Sequence, residues 1–423
     1  MKRKIYVLIF CAFNSLWIIA QTDSAKINLK QCIDIALQYN PYVKEVAKDE
    51  IIAGLVVKSA RSDLYPVLST QISGGYSNQY RLNNDYRTGN VAFSADQLLW
   101  QNGKVNATIN QARYNLKAAG YNLQARKEDI TVSVKTYYFN CLLQSQLYEI
   151  AIENVSKANM FLEYAQERYK IGSGRRSDVL KAESDLAESE FERDTYLNSL
   201  TQAQNELSML TGLSTDRLSN LENTLQSAQP DLYAKRLDTL YTLALLYYPE
   251  LQYVNNLQLL QQSKIREANA ELYPRLGFNG GYNWSYNPAL PWQKGWYTLL
   301  TLQWQIFNGY KQHNQIQMEK TRKTIYEIRE EQVKTFLIKE ISNRLINIKT
   351  AESQIELTNR LMKTTVENME IAKAQYKAGT GSMLELTDAR VNDLLAKQKN
   401  IQAIAAFQIA LANLERLTGN IYK

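Results

Sequence analysis

The feature that most constrains this sequence is an internal duplication, in which short motifs recur in the same order in the second half of the chain. The longest motif, Tyr169 to Gly174, recurs as Tyr376 to Gly381, with a Tyr-Lys-x-Gly-x-Gly pattern in both copies. The other matched segments are 40–41 with 248–249, 64–66 with 272–274, 74–76 with 280–282, 102–103 with 308–309 and 210–212 with 417–419. All six offsets lie between 206 and 208 residues. This period is far longer than the roughly 20–50 residues of solenoid repeats, so the chain contains two copies of one domain-sized unit.

Each copy shows the same predicted order of elements: a helix, two strands, a very long helix, a tight glycine turn and a final helix. The predicted helices cover 28–62, 104–170 and 177–210 in the first copy, and 238–271, 310–376 and 384–417 in the second. Both final helices end at a Thr-Gly pair, a common helix stop. The predicted domains are a first repeat unit at 21–212, a linker at 213–237 and a second repeat unit at 238–423.

The first twenty residues are typical of a secretory signal peptide. Lys2, Arg3 and Lys4 precede an apolar run over 5–13, and cleavage is predicted before Gln21. Lipid attachment at Cys11 is the weaker alternative, because a bulky phenylalanine precedes it. Removing 1–20 lowers the formal charge from +7 to +4, so the basic character of the chain says little about nucleic acid.

Two cysteines remain after this cleavage, Cys32 and Cys141, and both lie in helical patterns. The simplest prediction is two small buried apolar groups. Spacing alone leaves a disulfide between them open.

Four segments alternate apolar and polar residues with a period of two, which predicts strands over about 67–80, 90–100, 275–287 and 296–307. Each run approaches the length that a tilted strand needs to cross a bilayer. The polar positions are mostly Ser, Asn, Gln and Thr, and aromatic residues crowd the strand ends, as in a membrane barrel with a wet lumen. An ordinary sheet packed on a soluble core is the alternative.

Four strands per chain impose a condition on the membrane interpretation. Open strand edges would leave unpaired backbone groups in lipid, so separate chains must supply each other's edges. Three chains would give a twelve-stranded barrel, which lies within the known range.

The long segments 104–170 and 310–376 contain no proline, and each would span about 100 Å as one helix. One apolar stripe contains Ile325, Ile328, Val333, Phe336, Leu337 and Ile341. A helix of this length needs neighbours to cover such a stripe. Both a coiled-coil rod and one wall of a helical cylinder satisfy that requirement.

These motifs, taken in order, resemble the TolC family of outer-membrane efflux proteins over nearly the whole mature length. The features that carry the resemblance are the duplication, Asn40-Pro41, Leu-Tyr-Pro before each hairpin, Asn-Gly after it, and Tyr-Lys-x-Gly-x-Gly at each long-helix end. The resemblance implies a mainly α fold with membrane β strands, in which a homotrimer forms a twelve-stranded β-barrel continued by a periplasmic α-helical tunnel. It further implies a periplasmic adaptor, an inner-membrane pump, and export of cargo across the outer membrane.

The resemblance also implies two sets of site residues. The helix tips that dock the adaptor match Gly172, Ser173 and Gly174, and Gly379, Thr380 and Gly381. Acidic residues that ring the periplasmic entrance match Glu385 and Asp388, which lie three residues apart. Turn chemistry is the alternative for the glycines, and helix-dipole placement is the alternative for the acids. Family members often carry an arginine where this chain has Gly381, so an ion-pair network that closes the entrance at that position is in doubt. Arg175 and Arg176 in the first tip are candidates to replace the missing arginine.

Three other classes of protein compete with this interpretation. An enzyme lacks support, because no phosphate loop, metal spacing or nucleophile pair is found, and the sole histidine, His313, is expected at the surface. We predict no catalytic residue, metal or cofactor. A periplasmic scaffold or adaptor would leave the amphipathic strands unexplained, and a diffusion porin would be mostly strand.

Overall fold

A computed structural model describes residues 26–79, 84–225, 237–287 and 290–419. The signal peptide predicted at 1–20 lies outside the described residues. The first copy contains α1 (Leu29–Tyr39), α2 (Pro41–Ser62), β1 (Val67–Gln79), β2 (Asn84–Trp100), α3 (Lys104–Lys170) and α4 (Arg176–Thr211). A short helix, α5 (Thr215–Leu218), follows it. The second copy repeats the order with α6 (Leu237–Tyr247), α7 (Pro249–Ala270), β3 (Arg275–Asn287), β4 (Leu290–Gln303), α8 (Lys311–Ala378) and α9 (Met383–Thr418).

The first helix of each copy is broken at a proline, which corrects the prediction of single helices over 28–62 and 238–271. Proline lacks an N–H donor and excludes the preceding residue from helical geometry. Asn40 is accordingly extended, and its side-chain oxygen accepts a hydrogen bond of 3.0 Å from the Tyr42 N–H at the start of α2. This bond caps the second helix. Tyr248 is also extended before Pro249, without a side-chain cap.

The two long helices are confirmed within two residues of their predicted bounds. They contain 67 and 68 residues, and each spans about 100 Å. No helix within the described ranges has an apolar stretch long enough to cross a bilayer.

Three apolar clusters lie along these helices. One consists mainly of first-copy residues and also contains Ala405 of α9; it includes Tyr138 with Cys32 and Cys141, both present as free, buried thiols. A second belongs to the second copy and contains Leu337 and Ile341. The third joins both copies next to the tips. The second copy therefore contributes to the core of the first, and both copies share the cluster next to the tips.

The apolar stripe predicted on the second long helix divides between two environments. Leu337 and Ile341 are fully buried, whereas Ile325, Ile328 and Phe336 are exposed. One chain therefore covers only part of the stripe.

The four strands form one antiparallel sheet in the order β1-β2-β3-β4, so the sheet joins the two copies. Two strands differ from their predicted bounds. β2 begins at Asn84, because its polar first residues continue the ladder with β1 despite their lack of alternation. β4 covers 290–303 instead of 296–307, because its partner β3 begins at Arg275, opposite Gln303.

The pairing register gives this sheet one polar and one apolar face, since directly paired residues project to the same side. The polar face has Ser69, Ser94, Asp96, Asn279, Asn283, Ser285, Thr301 and Gln303. The apolar face has Leu68, Ile72, Val91, Phe93, Phe278, Trp284, Leu300 and Leu302. The alternation predicted for single strands therefore extends across most of the sheet. Leu299, opposite Asn279, and Lys294, opposite Trp284, are exceptions.

Candidate functional site

The two helix tips are built identically at the level of the main chain. At the first tip, the N–H groups of Ser173 and Gly174 both donate to the carbonyl of Arg168, at 2.9 Å. At the second, the N–H groups of Thr380 and Gly381 both donate to the carbonyl of Gln375, at 3.0 and 3.1 Å. The duplication seen in sequence is thus a duplication of turn geometry.

Two different constraints account for the glycines in these tips. Gly172 and Gly379 have φ values of +75° and +79°, which side chains with a Cβ rarely adopt. Gly174 and Gly381 lack space instead, because a Cβ there would approach main-chain atoms of the preceding helix to 3.0 and 3.1 Å. All four residues are therefore needed for the turn, whatever else the tips contact.

Arg168 connects the two tips. Its Nη1 donates to the carbonyl of Tyr376 at 3.0 Å, and its Nη2 donates to the carbonyl of Ser173 at 3.3 Å. The guanidinium also lies 4.8 Å from the centre of the Tyr376 ring, a cation–π geometry. A second such contact places Lys377 Nζ 4.4 Å from the ring centre of Tyr164.

The sequence interpretation missed Arg168 and proposed Arg175 and Arg176 as substitutes. Both of these arginines are exposed at the start of α4. Arg168 directly precedes the repeated Tyr-Lys-x-Gly-x-Gly motif, while Gln375 occupies the matching position of the second copy. That difference between the copies was the signal available in the sequence.

Glu385 and Asp388 lie on the first turns of α9, and both are exposed. Glu385 forms a capping box with Ser382: its carboxylate accepts from the Ser382 N–H at 2.8 Å, and its own N–H donates to the Ser382 hydroxyl at 3.2 Å. The hydrogen bonds from the Ser382 N–H and hydroxyl lower the pKa of the Glu385 carboxyl below its usual value. Glu385 is therefore a structural cap as well as an exposed negative charge.

A buried polar cluster lies farther along α9, about 6–10 Å from its start. Arg390 is 5% exposed, and its Nη1 donates to the side chains of Asn154 at 2.7 Å and Ser189 at 3.0 Å. The hydroxyl of Thr387 donates to Asp185 at 3.0 Å. Burial lowers the pKa of Arg390, while the charge of Asp185 opposes that change. These contacts attach α9 of the second copy to α3 and α4 of the first.

His313 is exposed at the start of α8, as expected.

The family model described as "Outer membrane efflux protein" matches residues 32–213 and 240–420. The matched segments correspond to the two copies of the repeat. The chain therefore belongs to the outer membrane efflux protein family.

Individual relatives are distant in sequence but similar in fold. The outer membrane protein OprJ of Pseudomonas aeruginosa is 21% identical over 414 residues, covering 92% of this chain and 84% of OprJ. The solved structure of CusC is 19% identical with a TM-score of 0.80, covering 92% of each chain. That of the Campylobacter jejuni outer membrane channel CmeC is 17% identical with a TM-score of 0.81, covering 93% of this chain and 86% of that one.

These findings confirm the predicted class. The protein is an outer-membrane efflux channel whose long helices form a periplasmic tunnel. Its family works in tripartite systems with an adaptor and an inner-membrane pump. Its family and fold are those of channel proteins, so the scaffold interpretation is not needed to explain the long helices.

Proposed function

We propose that three copies of this chain close a twelve-stranded barrel, and that the tunnel below it passes cargo handed over by an inner-membrane pump through a periplasmic adaptor. The observation that carries this proposal is the sheet, which has one polar face, one apolar face and two free edges, β1 and β4. A polar lumen and a lipid-facing exterior require two such faces.

The strand order is compatible with closure by copies of the same chain. Successive strands from β1 to β4 are antiparallel, so β4 of one copy can pair antiparallel with β1 of the next. Closure removes both free edges, which could not persist in lipid.

The helices support the same assembly. Ile51 and Leu55 on α2, and Ile328 and Phe336 on α8, are exposed in the single chain. A row of large apolar side chains along a helix needs a neighbour to cover it. Light scattering of the detergent-solubilised protein is expected to give three chains per particle, and a single chain would contradict the proposal.

The tips at Gly172, Ser173 and Gly174, and at Gly379, Thr380 and Gly381, are the proposed adaptor-docking surface. Ser173 and Thr380 are exposed at the two turns. A photo-crosslinking residue at either position is expected to capture a periplasmic adaptor in cells. The same residue at Glu356, which is exposed on α8 far from the tip, is the control and should not capture it.

Glu385 and Asp388 are the proposed gate at the periplasmic entrance. Three copies would place six carboxylates around a narrow opening, and such rings favour cations. The double substitution Glu385→Gln with Asp388→Asn tests this charge while sparing the fold, because glutamine can also complete a capping box.

The expected result is weaker blockade by multivalent cations, or a changed single-channel conductance, in planar bilayers. The matched control, Glu352→Gln with Glu356→Gln, removes two exposed carboxylates from the middle of α8 and should behave as the unmodified protein does. Equal blockade in all three proteins would remove the gate assignment.

A further inference from the structure

Tyr297 of β4 is an aromatic side chain on the polar face of the sheet. The register pairs it with Gly281 of β3, so that it shares a face with Asn279 and Asn283. The neighbouring aromatic residues Phe278, Tyr282 and Trp284 alternate with these positions and project to the other face. Tyr297 is therefore an exception to the pattern that divides this sheet.

Gly281 leaves the space that Tyr297 occupies. A Cβ at Gly281 would lie 2.8 Å from both Cε1 and Cζ of the Tyr297 ring. It would also lie 2.7 Å from the carbonyl oxygen of Phe93. Carbon atoms that are not bonded prefer separations of about 3.5–4.0 Å. The ring thus lies over the main chain of Gly281, where any larger residue would displace it.

Gly295 provides the contrast. It precedes Tyr297 by two residues on the same strand and projects to the same face, opposite Asn283. A Cβ at Gly295 would meet no atom within 4 Å. The close approach at Gly281 is therefore specific to the position beneath the ring, and is not shared by every glycine on this face.

We propose that Gly281 and Tyr297 set the bore of the β-barrel. This inference rests on the proposed function, in which the polar face lines the lumen. Lying against Gly281, the ring adds little to the thickness of the wall, although the Tyr297 side chain remains 44% exposed. A side chain at 281 would lift the ring into the lumen at three places in the trimer. The pair thereby keeps the lumen wide at this level of the barrel.

Three variants in planar bilayers test the pair. Gly281→Ala is expected to lose single-channel conductance, because the lifted rings narrow the lumen. Adding Tyr297→Ala to it should restore the conductance, since no ring is left to lift. Gly295→Ala adds the same methyl group without moving an aromatic residue and should retain the unmodified conductance. If the double variant stays as low as Gly281→Ala, the contact with Phe93 is the cause and the proposal is overturned.

A second measurement leaves Gly281 in place, in case its substitution prevents assembly. Tyr297→Cys and Thr298→Cys place thiols on opposite faces of the same strand. A positively charged methanethiosulfonate reagent should reduce the current through the Tyr297→Cys channel and leave the Thr298→Cys channel unchanged. The buried Cys32 and Cys141 contribute little background.

The two possible failures are distinguishable. A fully assembled protein that conducts no current at all would contradict the proposed channel function. A conducting protein in which the reagent acts at 298 and not at 297 would contradict the lumen-facing orientation of the polar face. A channel that reacts at 297, but whose double variant stays as low as Gly281→Ala, would contradict only the inference about the bore.

Discussion

Glu128 is expected to make the stability of the folded chain depend on pH. It lies in α3 with only 1% of its surface exposed. Its carboxylate accepts hydrogen bonds from Gln124 at 3.0 Å and from Arg416 at 2.9 Å. Arg416 also pairs with Asp129 and Glu250, so one guanidinium serves three carboxylates. Burial raises the pKa of Glu128 to about 7, against the opposing effects of Gln124 and Arg416.

The sign of the effect follows from the direction of this shift. The pKa in the folded chain is above the ordinary value of 4.5, so the folded chain retains a proton that the unfolded chain releases. This contribution to stability is complete below the ordinary pKa and is lost as the pH rises through 7. Between pH 6 and pH 8, the proton occupancy of Glu128 falls from about nine-tenths to about one-tenth. The associated loss of unfolding free energy is about 1.4 kcal/mol per chain.

The substitution Glu128→Gln removes this titration and keeps an amide of similar shape between Gln124 and Arg416. Denaturant unfolding at pH 6 and pH 8, followed by the helical circular dichroism signal, measures the two free energies of unfolding. The difference between the two pH values should be about 1.4 kcal/mol smaller in the variant than in the unmodified protein. The control Glu356→Gln neutralises a carboxylate that is exposed on α8, and it should leave the difference unchanged. An equal pH difference in the Glu128 variant and the unmodified protein would refute the reasoning.

Two further predictions concern the tips and the thiols. Arg168→Met removes the hydrogen bonds and the cation–π contact that hold Tyr376, which should cost about 1–3 kcal/mol of the interaction between the tips. The tunnel entrance should therefore open more often in single-channel records. The control Arg176→Met removes the same charge from an exposed site and should not alter the records. Burial raises the pKa of Cys32 to about 11 and that of Cys141 to about 12. Both thiols should resist iodoacetamide at pH 8 until the protein is denatured, and rapid labelling of the native protein, detected by mass spectrometry, would contradict this expectation.

Much of the fold was predictable because it depends on patterns within short stretches of sequence. The two long helices follow from uninterrupted sequences without proline, and the tips follow from glycines that recur in both copies. Pro41 and Pro249 were visible in the sequence as well, but single helices were predicted across them. Asn40 and Tyr248 interrupt segments that otherwise look helical, and the restriction on the residue before proline prevailed there.

The ends of the strands were harder to predict because a strand is defined by its partner. Residues 84–89 lack clear alternation, yet they pair with β1. Residues 304–307 alternate well, but β3 does not extend far enough to pair with them. The strand bounds therefore depended on the register between strands, which no single segment contains.

The sequence by itself determined the duplication, the long helices, the glycine turns and the two-faced strands, because each of these follows from local conformational preference and hydrophobic period. Only the tertiary structure decided which residues meet across the two copies. Arg168 contacts Tyr376, Arg390 contacts Asn154, and in the sheet Tyr297 covers Gly281. The physical reason is that these contacts join residues on separate helices or strands, and the packing of whole elements brings them together.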